Sequence, residues 1–337
     1  MGHILSTAVN AVLPMILLIL LGVFLRKRKL LGDGFLDTGN KLVFRLGLPA
    51  MLFVNVYSIE SFQDVPWGLI LYAVAAILVI FLLGLATAVL TTPVPERRGV
   101  ILQCVFRSNS AIIGLTLASA LGGGAAETVA ACVTAVTIPL FNVLAVIALS
   151  MFGKGSHRPT VGYILLDIVK NPLIHGVFAG ILCLALRLGQ SALWDAPVFT
   201  VRQQLSPVYT ALTWIKNMTT PLSLIVLGGQ FVFSAVKELK KEIIVSTLWR
   251  IVFAPLIGIG GAVALAKLGC LQCGVHEFPA LVGLFGSPVA VSSAIMASQM
   301  ENDEQLATQL VVWTTIFSAF TVFGIVCILM AMGLISI

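Results

Sequence analysis

Charge is what this chain has least of. Only 10% of its 337 residues are Asp, Glu, Lys or Arg, where a soluble domain carries about 25%. A soluble globular fold is therefore excluded. The composition also excludes disorder, and six cysteines in this length do not make a disulfide scaffold. No G-x-S-x-G, H-E-x-x-H, P-loop or Asp-rich metal motif occurs. The chain is thus expected to be neither an enzyme nor an ATP-driven pump, and to hold no cofactor and no metal. What is abundant is apolar surface: 59% of residues are hydrophobic and mean hydropathy is +1.06. The formal charge of +6 would suggest nucleic acid in a soluble protein. Here the cations sit mostly in short loops between apolar runs, so no nucleic-acid partner is expected.

A helix needs about 20 apolar residues to cross a bilayer. Ten runs of roughly that length occur, at 4–25, 35–58, 67–91, 98–121, 125–151, 171–188, 207–231, 243–267, 277–298 and 306–334. None alternates like a barrel strand. The first run is followed, not preceded, by its basic cluster Arg26–Lys29 and lacks a small-residue cleavage site, so it reads as a retained helix. With its N-terminus outside, the inside loops hold Arg26, Lys27, Arg28, Lys29, Arg97, Arg98, Lys154, Arg158, Lys237, Lys240 and Lys241. The outside loops hold only Arg187, Arg202 and Lys267. The expectation is a multi-pass protein of the cell inner membrane, surrounded by lipid, with both termini outside.

The runs repeat. Pro49 and Pro221 are 172 residues apart, as are Gly114 and Gly286, while Pro14 and Gly22 recur as Pro172 and Gly180, offset by 158. Five helices are followed by five more, and an odd number per repeat inverts one half relative to the other, as in many secondary transporters. The expected fold is an all-α polytopic membrane protein of ten transmembrane helices, built as two inverted five-helix repeats at 1–156 and 157–337. Chance placement of common Pro and Gly is the competing reading.

Runs four and nine carry the chemistry. Run four holds Arg107-Ser108-Asn109-Ser110 and Gly114; run nine holds Gly286-Ser287-Pro288 and Ser292-Ser293. Pro removes a backbone donor and Gly lets the chain unwind. Broken backbone at membrane depth is tolerated only inside protein or along a watery cavity. Half-helix N-termini meeting there carry partial positive charge and free N–H groups, which suits an anion; plain kinks are the alternative. Arg45, Arg107, Lys216 and Arg250 are the charges within helices, and all are cationic. Acidic residues such as Asp37, Asp167 and Glu277 lie near helix ends. Arg107 is expected to act at the site or to hold its helix, whereas Lys41, Lys170 and Lys216 fit snorkelling and Arg45 and Arg250 fit either role. Asn55, Thr137, Asn142, Thr220 and Gln230 either bind the ligand or glue helices together. His175 reads as a packed histidine. Cys270 and Cys273, followed by His276, read as two thiols near a helix end, with a disulfide as the alternative; a zinc site would lack a fourth ligand.

R-S-N-S-A-I-I-G-L at 107–115, N-P-L-I-H-G at 171–176, T-P-L-S-L-I-V-L-G-G-Q at 220–230 and S-P-V-A-V-S-S at 287–293 resemble the auxin efflux carrier family, in particular its bacterial malate and malonate transporters. The resemblance runs along nearly the whole chain. It implies ten helices in two inverted repeats, broken helices 4 and 9 crossing at the site, elevator-like motion, dimerisation, and organic-anion substrates. By position it makes Asn109 the substrate-contacting Asn and Pro288 the crossover Pro. The family sets a Pro two residues beyond the helix 4 Gly, where this chain has Thr116, so here the break is expected to rest on Gly114 and the Ser/Asn cluster.

The combined expectation is a secondary active transporter of a small organic anion, a dicarboxylate or auxin-like carboxylate. The substrate-binding candidates are Arg107, Ser108, Asn109, Ser110, Gly114, Gly286, Ser287, Pro288, Ser292, Ser293, Asn55, Asn142 and Gln230. Coupling to H⁺ or Na⁺ is open, and a sodium-coupled symporter of the bile-acid type is the rival.

Overall fold

The computed structural model describes residues 2–58, 66–153, 169–194, 199–232 and 234–335. Each apolar run becomes helix, and the described residues form no strand. A helix satisfies its own backbone, so an open-ended segment in lipid has no other choice. α1 is Gly2–Lys27. α2 starts as Asp33–Leu42, passes a π-helical turn at Val43–Gly47 and continues as Leu48–Tyr57. α3 is Trp67–Thr91. α4 comes in two pieces: α4a, Pro95–Phe106, and α4b, which opens with a π-helical turn at Ser110–Gly114 and runs to 122. Gly123, at φ 67° and ψ −163°, turns the chain into α5, 124–152, a conformation essentially reserved for glycine.

The second half holds α6 (Pro172–Trp194), α7 (Ser206–Gln230), α8 (Lys240–Lys267), α9a (Glu277–Gly286), α9b (Ser292–Gln299) and α10 (Glu304–Ala331). Among the described residues, five helical stretches are long and apolar enough to cross a membrane on their own. Local signals set the starts. Asn171 Oδ1 accepts the Leu173 N–H at 3.0 Å just ahead of Pro172, and Asp303 accepts the Leu306 N–H at 2.9 Å, so each supplies the oxygen that an N-terminal turn lacks.

Polar contacts gather one set of helix ends on a single, basic face. Arg97 of α4a bridges Glu242 of α8 and Asp303 beside α10, each at 3.0 Å. Lys241 reaches the Thr91 carbonyl at 2.6 Å, and Asn302 reaches that of Leu149 at 3.1 Å. On the opposite face Arg187 donates to the Tyr57 carbonyl at 3.1 Å.

The helices sort into two bundles. In one, α1 packs on α7, α2 on α6, and α7 on α2; the other joins α3, α4, α5, α8, α9 and α10, with α1 packing on α10 across the two. The repeat landmarks do equivalent work in the first bundle. A Cβ on Gly180 of α6 would lie 3.1 Å from the Phe53 carbonyl of α2, and one on Gly22 of α1 would overlap the Ile225 carbonyl of α7. Phe53 and Ile225 are themselves 172 positions apart. The small residues let two helix pairs approach closely in the same way.

The pairing of Gly114 with Gly286 is corrected. Gly114 lies beyond the break in α4 and Gly286 before the break in α9. The equivalent residues are Arg107 and Ser287, the first past each half-helix, 180 positions apart. The expected boundary at 156–157, with Lys154, Arg158 and Asp167, lies outside the described residues.

Candidate functional site

Both breaks are stretches of extended chain. Arg107 has φ −82° and ψ 118°, and Ser287 has φ −65° and ψ 149°. Ser108 and Val289 pair as an antiparallel bridge, and the Asn109 N–H donates to the Pro288 carbonyl at 2.9 Å. Each broken segment therefore supplies backbone bonds that the other has lost, which lipid could not do. This also corrects the expected position of the α4 break. It sits at 107–109 and does not rest on Gly114, which is needed instead for the crossing: a Cβ there would lie 2.6 Å from the Gly283 carbonyl.

Four half-helix ends converge at this crossover. The C-terminal ends of α4a and α9a share one cation. Arg250, 1% exposed, donates to the carbonyls of Val105, Phe106, Leu284, Phe285 and Ser287 at 2.6–3.5 Å. The snorkelling reading of Arg250 is corrected by this burial at the crossover, where it lines none of the cavities described here.

The N-terminal ends face a small cavity of about 50 Å³. Arg107, Ser108, Asn109 and Ala111 line it from α4, and Ala290, Val291 and Ser292 from α9. Phe141 and Asn142 come from α5, Met51 from α2, and Thr219, Thr220 and Ser223 from α7. Arg107 is 4% exposed and donates to Asn142 Oδ1 at 2.9 Å and Ser292 Oγ at 2.8 Å, with Met296 sulfur against it. With the Gln103 amide turned to satisfy both groups, its oxygen accepts from Arg107 at 2.8 Å and its nitrogen donates to the Ser293 carbonyl at 3.2 Å. No lining side chain is acidic. The Arg107 charge thus meets only neutral acceptors, beside two positive helix ends. The hydroxyls of Ser108, Ser110 and Ser293 are buried with no partner among the described residues.

The remaining candidates are dispersed. Ser287 is buried and donates to the Gly283 carbonyl at 2.6 Å, so it supports α9a. Pro288, Gly286, Gly114, Ser110 and Ser293 belong to the crossover but not to the cavity wall. Asn55 lines a second, larger cavity of about 910 Å³, toward the face opposite the basic one, with Glu127, Lys216 and Asn217. The two cavities share Met51, Ala111, Ile138 and Thr220. Gln230 lines a third, about 390 Å³, on the basic face beside Arg26, Asp37 and Glu304.

Arg45 is exposed, as is Lys41, which pairs with Asp37 at 2.6 Å. His175 is exposed rather than packed; its Nε2 sits 2.6 Å from the Val169 carbonyl, at the open start of α6. Cys270 and Cys273 are free thiols. Among the described residues no group of three or more metal-binding side chains assembles. Sequence reasoning missed Glu127, Thr219, Ser223 and Thr314, whose hydroxyl accepts the Val289 N–H at 3.2 Å. Single hydroxyls in apolar helices give no periodic signal.

A search of curated proteins finds no match. The sequence model of the family described as "Membrane transport protein" matches twice, at residues 7–162 and 158–326. Those two stretches take in most of the chain, which is therefore a multi-pass member of this auxin efflux carrier-type membrane transport family.

Proposed function

We propose that this protein is a secondary active transporter of a small organic anion, a dicarboxylate or an auxin-like carboxylate, working by alternating access at the α4/α9 crossover. One observation carries the reading. Arg107 is buried at the cavity with no carboxylate among the described residues to neutralise it, beside the N-terminal ends of α4b and α9b. A buried cation without a counter-ion is costly, and an anionic ligand would supply the missing charge. In this reading Ser108, Asn109, Ser292 and Asn142 shape the ligand, and Arg107 with the two helix ends provides the field.

The large cavity, with Asn55 and Lys216, is the approach from one side. The basic face is the cytoplasmic one by charge bias, which puts both termini outside, in the inner membrane, and makes the large cavity the outer vestibule. The third cavity, with Gln230, is where an inward path would open. The halves 1–156 and 157–337 are the inverted repeats, and catalysis forms no part of the reading. The bundle of α1, α2, α6 and α7 is the frame, through which two copies would pair. The other six helices move as one body, tied at the basic face by Arg97, Glu242 and Asp303.

The experiment is uptake of malate, malonate and indole-acetate into proteoliposomes, with and without Na⁺ and with an imposed pH gradient. Saturable uptake of one of these without Na⁺ is expected. An absolute need for Na⁺ would favour a symporter of the bile-acid type, and preference for a cation over every carboxylate would remove the anion reading.

A further inference from the structure

One buried cation faces none of the three cavities described above. Arg250 sits in a π-helical turn of α8, Trp249–Phe253, and is 1% exposed. It makes no ion pair among the described residues. Its guanidinium nitrogens point only at carbonyl oxygens: Val105 at 3.3 Å and Phe106 at 3.2 Å from the end of α4a, and Leu284 at 3.5 Å, Phe285 at 2.6 Å and Ser287 at 3.1 Å from the end of α9a. The carbonyls in the last turn of a helix have no intrahelical partner, and each C-terminal end carries about half a negative charge. Two such ends meeting deep in apolar surroundings repel each other and leave their acceptors unserved. A rigid fork of five N–H donors on one positive charge answers both problems.

A cage of backbone carbonyls is also what selects a small monovalent cation in membrane proteins. We propose that Arg250 is a resident cation at the crossover, a positioning residue that fills this cage permanently, so the two broken helices are held without an exchangeable Na⁺ or K⁺. It also neutralises the negative helix ends that lie just behind the positive ones, so the field at Arg107 and Asn109 is not offset. That second consequence rests on the anion reading above; the cage does not.

The test measures thermal unfolding of the full-length protein in nanodiscs with no transported anion present, so failure of the anion reading would leave its outcome intact. The parent should melt at one temperature in equal concentrations of sodium, potassium and choline chloride; a rise specific to sodium would overturn the proposal. Arg250→Ala should melt lower by roughly 5 °C or more. Methylguanidinium chloride well below denaturing concentration should restore at least half of that loss while leaving the parent unmoved. Arg250→Met, which fills the space with an uncharged chain, should fall as far and not respond. Equal response of the Ala and Met variants, or an Ala variant that melts like the parent, would sink the idea. If neither variant can be purified, the parent's salt series and Arg250→Lys decide. A lysine, with three donors on a point charge, should melt below the parent or fail to fold; a Lys variant as stable as the parent would overturn the proposal.

Discussion

The backbone N–H of Asn109 donates to the carbonyl of Pro288 at 2.9 Å. This bond joins the two interruptions, in helices that are otherwise far apart in sequence. It ties the residue expected to touch substrate to the residue that breaks the opposing helix. Movement of one half-helix end is therefore transmitted to the other.

Asn109 lines the cavity, and among the described residues its side-chain nitrogen donates to the Met15 sulfur at 3.9 Å. Asn109→Asp keeps the shape and adds a negative charge. Uptake of the preferred carboxylate should fall by at least about tenfold, the worth of one charged hydrogen bond, with unchanged membrane expression. Asn109→Ala should lose a comparable amount. Wild-type uptake in both variants would remove this residue from the site.

Arg107→Gln removes the one cation among the described residues that line the cavity and leaves a neutral donor beside Asn142 and Ser292. Loss of a charge-assisted contact costs about 1.5–3 kcal/mol, which is about tenfold or more in apparent affinity. The half-saturation concentration for uptake should rise accordingly. Arg107→Lys should recover part of the loss, because it keeps charge without the fork. Equal affinity in Gln and wild type would argue that Arg107 only props α4.

The crossing at Gly114 has no room. A Cβ there would meet the Gly283 carbonyl at 2.6 Å, so Gly114→Ala should destabilise by about 1–3 kcal/mol through overpacking. Gly324, in α10, is open: a Cβ added there would find nothing within 4 Å. Gly324→Ala should be neutral or stabilising by about 0.5–1 kcal/mol, the helix preference for Ala. Thermal unfolding of both variants checks the contrast.

Cys270 and Cys273 lie in the loop after α8. Cys270 is exposed, while burial and then the neighbouring Glu277 carboxylate push the Cys273 thiol up to about 12. Cys273 is thus a neutral thiol at neutral pH and a poor nucleophile. A membrane-impermeant maleimide applied from outside should label Cys270 rapidly and, in Cys270→Ser, label Cys273 slowly. Stability contributed by the neutral thiol should be lost only as pH rises past its ordinary value near 9. Fast labelling of Cys273 would contradict the burial, and labelling of Cys270 only from inside would invert the topology.

Hydropathy alone determined that the chain is a helical membrane protein and nearly where its described helices lie, because a backbone in lipid must bond to itself wherever the apolar run is long enough. The family likeness was also legible, in short motifs whose order and spacing survive in one dimension. What needed the tertiary structure was the place of each break and the partner of each buried cation. Gly114 and Gly286 look equivalent in sequence, but the chain breaks before one and after the other, since unwinding is allowed only where Pro288, Thr314 and Arg250 can replace the lost bonds. Sequence makes Arg107 a cation at the site or holding its helix, and Arg250 either that or a snorkelling one. One faces a cavity with neutral acceptors, and the other is consumed by five carbonyls from two helices. Hydropathy reports that a charge is buried. Only the packing of helices distant in sequence decides what stands opposite it.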